Sequence, residues 1–415
     1  MILRARVLVS LVTLSPRQRV LRSFYNFPSR EAKLRAMGGR LSHPDADLKD
    51  KVVIVTGGNT GIGYETSKAL AFMGAHAIIA CRSTEKGQQA IDQIKEEGQA
   101  AGKTDLKLEC MKLDLSSLQS TKQFTEDFKQ KNLPLQILIC NAGIFCVPQG
   151  KTDDKLERHF QVNYLGHFLI CLELLPCMLN TDGDKRIVLL GSSATSSGVW
   201  DPNNLHGDSG YSRLKFYGNS KLYMLMQMVA LQRRLKDSGI TVSTADPGFT
   251  RSGMQQGDIG WMKIIAKPIV AMGAGRSPGQ GAMTSINAAV NPALNTQQPV
   301  YYANCKPIRI LRTAANEQHQ EELWRISCDL LKDYMSPEIW SKYSPSTETA
   351  ATAATQDSGN NDGKNDQPTT TSDNEDKPPS AEDKPAGDKP AEDKPPEGEQ
   401  KDDTADDTAK DKPAA

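Results

Sequence analysis

No two of the eight cysteines in this 415-residue sequence are spaced Cys-x-x-Cys, and no metal-ligand set is expected from them. Cys81, Cys110, Cys140, Cys146, Cys171, Cys177, Cys305 and Cys328 fall in several cases inside apolar runs such as LECMKL and LQILICNAG. They read as reduced packing residues in a reducing compartment, a disulfide framework being the lesser alternative. Net charge is also lacking: the formal balance is +0. The basic residues are dispersed and form no reader motif, which argues against a nucleic-acid partner. Near the N-terminus there is no apolar run long enough to cross a bilayer, since VLVSLVTL is too short. The same region lacks acids: up to Arg30 it holds Arg4, Arg6, Arg17, Arg19, Arg22 and Arg30 and neither Asp nor Glu.

The zero balance hides an asymmetry. From Gln356 onward acids outnumber bases by roughly ten, so the rest of the chain carries a similar basic excess. The leader, taken as residues 1–45 and free of acids up to Arg30, has the composition of a mitochondrial transit peptide and equally of a segment lying on a membrane surface. The expected location is therefore intracellular and membrane-associated, at the endoplasmic reticulum or a lipid droplet, with mitochondria as the alternative. Residues 345–415 repeat (E/G)DKP at Glu375, Glu382, Gly387 and Glu392 and offer nothing apolar to bury, so a disordered acidic tail is expected.

What is present in residues 46–335 is an alternation. KVVIV, HAIIAC, LKLECMKL, LQILIC, RIVLL, ITVSTA and PVYYA are short β-rich runs, and segments of helical spacing lie between most of them. That pattern predicts a single α/β domain of Rossmann type, a doubly wound parallel sheet covered on both faces. NEQHQEELWRISCDLL reads as its closing helix.

The first strand runs into TGGNTGIG, with Gly57, Gly61 and Gly63 spaced G-x-x-x-G-x-G. Glycines there either merely punctuate a turn or let the backbone approach a pyrophosphate at a helix N-terminus. The next strand ends in ACRST, where Arg82 stands in place of the acid that would hold a ribose 2′-hydroxyl. An arginine accommodates a 2′-phosphate, Lys86 is placed to help, and NADP(H) is preferred over NAD(H). Asp114 and Leu115 follow the third strand, and Asn141, Ala142 and Gly143 the fourth. Asp114 is read either as a ligand at the sheet edge or as the cap of a helix starting at Ser116. Two Tyr-x-x-x-Lys pairs, Tyr211–Lys215 and Tyr217–Lys221, follow Ser192 and Ser193, the second about two dozen residues on. On a helix, residues four apart share a face. A lysine beside a phenol lowers its pKa and equips it for acid-base work, although the spacing alone is weak.

TGGNTGIG, LDL, CNAG, HFQVNYLGHF, GSSA, YGNSK and DPGFTRS, in this order, resemble the short-chain dehydrogenase/reductase family over Lys51 to Leu331, in its retinol-dehydrogenase-like branch. IFCVPQGKTDDKLERHFQVNYLGHFL is most similar to members of that branch acting on polyprenol and dolichal. The resemblance implies strand order 3-2-1-4-5-6-7 and a nicotinamide cofactor. It implies Tyr217 as the acid-base residue, Lys221 as its lysine, Ser193 as the serine on the substrate oxygen, and Asn163 as organiser of a proton-relay water. It further implies that Gly57, Asn59, Thr60, Gly61, Ile62 and Gly63 hold phosphate, and that Pro247, Gly248, Thr250 and Ser252 surround the nicotinamide. The pattern selects the second tyrosine pair and leaves Tyr211–Lys215 in the loop before the helix. Cys140 replaces the family's second asparagine, and GSS replaces VSS.

GMQQGDIGWMKIIAKPIVAMGAGR, between Ser252 and Ser277, mixes Trp261, Ile264 and Ile265 with Lys263 and Lys267. It is expected to cover a lipophilic substrate at a membrane surface, or else to pack on its own core or a homodimer partner. The expected reaction interconverts a lipophilic alcohol and its aldehyde or ketone. The alternatives are a catalytically idle cofactor-binding scaffold and a sugar-nucleotide epimerase.

Overall fold

The computed structural model describes residues 45–251, 275–296 and 298–345. The leader, Ser252 and the rest of the loop that follows it, and the (E/G)DKP tail lie outside the described residues. Eight strands form one sheet: β1 (Val52–Thr56), β2 (His76–Cys81), β3 (Leu108–Lys112), β4 (Ile137–Cys140), β5 (Lys185–Leu190), β6 (Ile240–Asp246), β7 (Val300–Ala303) and β8 (Lys306–Ile308). Their order is β3-β2-β1-β4-β5-β6-β7-β8, so the expected order is present, with one strand added at the edge.

The sequence explains why the sheet is covered. VVIVT, ILIC, KRIVLL and ITVSTAD are buried at every position, which only a sheet with helices on both faces allows. The main helices are α1 (Gly61–Phe72), α2 (Thr84–Ala100), α3 (Leu118–Gln130), α4 (Gly166–Glu173), α5 (Arg213–Arg234), α6 (Pro278–Val290), α7 (Glu317–Leu331) and α8 (Pro337–Tyr343). In α5 every residue from Phe216 to Met228 is buried, the polar Asn219, Ser220, Lys221 and Gln227 included. Side-chain caps start several helices: Ser83 accepts from Lys86 N–H, Ser117 from Ser120 N–H, and Ser277 forms a capping box with Gln280. α1 begins without one, since Thr60 makes no side-chain cap.

The parallel strands end together. Thr56 pairs with Ala80, Val55 with Ile139, and Leu190 with Ala245, which aligns the loops after β1, β2, β4, β5 and β6 along one edge. The chain runs outward from β1 to β3 and then returns across β1 to β4. That reversal opens the crevice where open α/β sheets bind ligands.

Three features depart from the sequence reading. β8 pairs antiparallel with β7 through Asn304 and Cys305, both at positive φ, a two-residue hairpin turn. The globular part does not close with α7: Trp324 Nε1 donates to the Tyr343 carbonyl at 2.8 Å, and Ile339 of α8 is buried in the main core. The helix near Ser116 starts instead at Leu118, capped by Ser117.

Candidate active site

The glycine loop folds as its spacing demands. Gly57 and Gly61 sit at φ +64° and +59°, the left-handed region that favours glycine. A Cβ on Gly63 would lie 2.2 Å from the Gly57 carbonyl oxygen, so α1 can approach the loop only without a side chain there. A Cβ on Gly57 would reach 3.0 Å from the Ala142 Cα. Ile62 is buried in the core, whereas Asn59, Thr60 and Gly61 reach the surface, next to the uncapped helix N-terminus. This cradle of backbone amides with a positive helix end fits the diphosphate of a nicotinamide dinucleotide.

The rim of the crevice is built from the neighbouring strand ends. Arg82 follows β2 and is exposed, as is Lys86 in the first turn of α2. Asp114 does not cap a helix. Its Oδ1 closes a local turn by accepting from Ser116 N–H at 3.0 Å and Ser116 Oγ at 2.6 Å. The Leu115 side chain belongs to the core. Asn141 ties β4 to β1: its Nδ2 donates to the Thr56 carbonyl at 2.8 Å, while the N–H groups of Asn141 and Ala142 both donate to Thr56 Oγ1 at 2.9 Å. A Cβ on Gly143 would stand 3.0 Å from Asn163 Oδ1 and 4.0 Å from Lys221 Nζ, which brings this loop to the catalytic helix.

Asn163 lies in a π-helical turn, Phe160–Leu165, immediately before α4; such turns recur at functional sites. Its side chain is fully engaged. Oδ1 accepts from Ile144 N–H at 2.8 Å, and Nδ2 donates to the Ile144 carbonyl at 3.0 Å and to Ser220 Oγ at 2.9 Å. What Asn163 can offer a relay is its backbone carbonyl, which already accepts from His167 Nδ1 at 2.9 Å. Burial pushes His167 down to about 4, so the ring is neutral and its Nε2 accepts from Thr56 Oγ1 at 2.9 Å.

Tyr217 and Lys221 occupy consecutive turns of α5 and are both buried. Lys221 Nζ lies 5.9 Å from the Tyr217 ring centroid and donates to the Leu190 carbonyl at 2.7 Å. Burial pushes the Lys221 ammonium down to about 8, against the pull of Asp246. The phenol is not lowered toward neutrality as the spacing predicted. Burial, with smaller help from the Asp246 charge, raises Tyr217 to about 12, and a hydrogen bond with Ser192 works against that rise.

The serine bonded to the Tyr217 phenol is Ser192, whereas Ser193, expected to meet the substrate oxygen, is the next residue along. Ser192 stands at the β5 end and starts a short 3₁₀ turn, Ser193–Ser197; Ser193 is exposed within that turn. The Ser192 carbonyl accepts from Tyr301 Oη at 3.0 Å. Glycine precedes it for a packing reason: a Cβ on Gly191 would fall 2.6 Å from Thr244 Cγ2 and 3.1 Å from the Tyr301 ring.

The loop after β6 closes the site. Gly248 has φ +69°, its N–H donates to Asp246 Oδ1 at 2.7 Å, and Arg276 holds the Pro247 carbonyl at 2.9 Å. Thr250 is buried, with its hydroxyl 3.1 Å from the Gly248 carbonyl. Asp246, Tyr301, Thr56 and His167 were not singled out from the sequence; Asp246 and Thr56 sit at strand ends, the one signal that pointed to them. The first tyrosine pair is split. Tyr211 lies before α5 and bonds Glu157 and Val147, and Lys215 lies in the first turn. A cleft lined by Phe72, Met73, Met283 and Ile286 includes none of these residues.

Comparison with known proteins agrees with this geometry. The short chain dehydrogenase family profile matches residues 51–262. Human polyprenol dehydrogenase is 36% identical over 301 residues, covering 71% of this chain and 89% of its own. Mouse retinol dehydrogenase 12 is 35% identical over 295 residues, covering 71% and 90%. Human WW domain-containing oxidoreductase is 36% identical over 299 residues, covering 69% of each chain. An uncharacterised protein from Mycobacterium paratuberculosis superposes with a TM-score of 0.55 at 28% identity, covering 69% of this chain and 95% of its own. The chain is an enzyme of the short-chain dehydrogenase family.

Proposed function

We propose that this enzyme uses NADP(H) to interconvert a lipophilic alcohol and its aldehyde or ketone, of the polyprenoid, retinoid or steroid type. The observation that carries the reading is the meeting of Ser192, Tyr217 and Lys221 at the sheet edge that holds the glycine loop. A bound nicotinamide dinucleotide supplies or accepts the hydride. The Tyr217 hydroxyl gives the proton to the carbonyl oxygen or takes it from the alcohol. With its pKa raised to about 12, the phenol is protonated at neutral pH, the form that serves carbonyl reduction. Ser192 Oγ, already at the phenol, stabilises the oxygen as charge develops on it. Lys221 brings positive charge beneath the phenol and faces the nicotinamide ribose, and Asn163 fixes the Gly143–Ile144 loop over it. Arg82 and Lys86, exposed beyond β2, favour a 2′-phosphate.

The lipophilic assignment draws on the names of the relatives and on the site's surroundings. Val199, Leu214 and Phe249 are exposed apolar side chains in or beside the segments that carry Ser192, Tyr217 and Gly248. No helix among the described residues is long and apolar enough to cross a membrane. We place the enzyme peripherally at an intracellular membrane, through its basic leader. The test is NADPH and NADH oxidation with dolichal, retinal and steroid ketones, with Tyr217→Phe alongside. Turnover lost in the mutant supports the reading; equal turnover in both sinks it. An Arg82→Asp variant that keeps its NADPH preference would refute the cofactor assignment.

A further inference from the structure

Beside Tyr217 lies a second set of buried polar groups that the proposed chemistry does not use. Glu157 and His159 are 1% and 0% exposed. His159 Nδ1 is 2.8 Å from Glu157 Oε1, and Glu157 Oε2 accepts from Phe160 N–H at 2.7 Å. The other ring nitrogen, Nε2, accepts from Val147 N–H at 3.3 Å. A backbone N–H can only donate, so Nε2 must carry the lone pair and Nδ1 the proton that goes to Glu157. The tautomer is therefore set by its two partners. Tyr211 completes the set: its hydroxyl lies 3.1 Å from the Val147 carbonyl and 3.3 Å from Glu157 Oε1.

Val147 is thus held at both its N–H and its carbonyl by side chains from two other parts of the chain. The segment they hold packs against the proposed acid-base residue. Phe145 meets the Tyr217 ring edge-on at 4.7 Å between centroids. Cys146 is buried in a small cluster with Tyr217, and it takes φ +48°, a conformation a non-glycine residue keeps only when its surroundings impose it. The His159 ring itself lies 6.2 Å from the Tyr217 ring. A carboxylate and an imidazole are costly to bury unless each finds partners, and these two find theirs in each other, in Phe160 N–H at the start of the following helical turn, and in Val147.

We propose that Glu157, His159 and Tyr211 are positioning residues that fix the Phe145–Val147 segment against Tyr217 and thereby set how a substrate oxygen meets the phenol. The proposal rests on the reading of Tyr217 as the acid-base group. The decisive feature is the acceptor at Nε2, which glutamine can reproduce and leucine cannot.

The experiment compares wild type, His159→Gln, His159→Leu and Tyr211→Phe in the full chain with NADPH. It reads hydrogen exchange of the peptide spanning Phe145–Val147, the NADPH Kd, and kcat and KM for a long-chain aldehyde. The expected result is faster exchange of that peptide in His159→Leu, with NADPH Kd unchanged and kcat/KM down about tenfold or more. His159→Gln should restore most of both, and Tyr211→Phe should lie between. Exchange and kcat/KM unchanged in His159→Leu overturn the proposal, as does a variant whose exchange rises across the whole domain and is not rescued by glutamine. If wild type turns over no carbonyl, the reading of Tyr217 falls, while the exchange data still judge the network on their own.

Discussion

Two Tyr-x-x-x-Lys pairs, six residues apart, share a spacing and little else. Tyr217 and Lys221 sit inside α5, buried, with Ser192 at the phenol and the Gly143 loop over the lysine. Tyr211 sits before that helix, its hydroxyl turned to Val147 and Glu157, and Lys215 is half-buried in the first turn. The lesson is that the four-residue spacing supplies only proximity. Chemistry comes from what converges on the phenol, and at Tyr217 three strand ends converge. At Tyr211 a burial-raised phenol beside a carboxylate is held as a hydrogen-bonding strut.

The sharpest way to break the contrast is Tyr217→Phe. Removing the hydroxyl leaves the ring and its contact with Phe145, so the fold should persist and the NADPH Kd should hold. Turnover should fall by about a thousandfold, the scale of a general acid-base group. Single-turnover rates check this; a loss under tenfold would remove Tyr217 from its role. Next comes the serine pair. Ser192→Ala should cost about a hundredfold in kcat, as loss of an oxyanion donor does, whereas Ser193→Ala should change it less than twofold. The reverse order would restore the choice made from sequence.

Asp246 offers a smaller and directional effect. Its charge helps to raise Tyr217 and opposes the lowering of Lys221. Asp246→Asn removes a negative charge, so the phenolate becomes less unfavourable and the ammonium less favourable, and both pKa values must fall. Alcohol oxidation needs the phenol deprotonated, so its rate rises with pH towards the Tyr217 pKa. The rising limb should therefore move to lower pH in the variant, by up to about one unit. A profile that stays put or moves up would show that Asp246 does not reach the phenol.

Much of this was legible because the sheet writes itself into the chain: fully buried strands must be apolar runs, and ligands collect at their carboxyl ends. What was hidden has physical reasons too. β8 contains Pro307, which argues against a strand except at an edge, where it lies. Ser192 and Ser193 differ only in how the 3₁₀ turn after β5 points them, and no composition encodes that. Glu157 and His159, within DKLERHF, were not singled out from the sequence; both are buried, with the Tyr211 hydroxyl against the His159 ring. The lowered phenol failed as an expectation because proximity of a lysine was weighed without the cost of burying the tyrosine.

The smallest effects separate the pairs most cleanly. Lys215→Met should leave kcat/KM within twofold, since the lysine touches none of the groups gathered at Tyr217. Tyr211→Phe keeps the stacking on Phe216, 4.6 Å between centroids, and removes only the hydroxyl that ties Val147 to Glu157. One neutral hydrogen bond contributes about 1 kcal/mol, so the loss should be about fivefold. It should fall on kcat/KM for the carbonyl and leave NADPH affinity alone, because Val147 adjoins Tyr217 through Phe145 and not the glycine loop. A thousandfold loss in Tyr211→Phe would make the two tyrosines equals and dissolve the contrast. Steady-state kinetics on the four single variants, Tyr211→Phe, Lys215→Met, Tyr217→Phe and Lys221→Met, decide it.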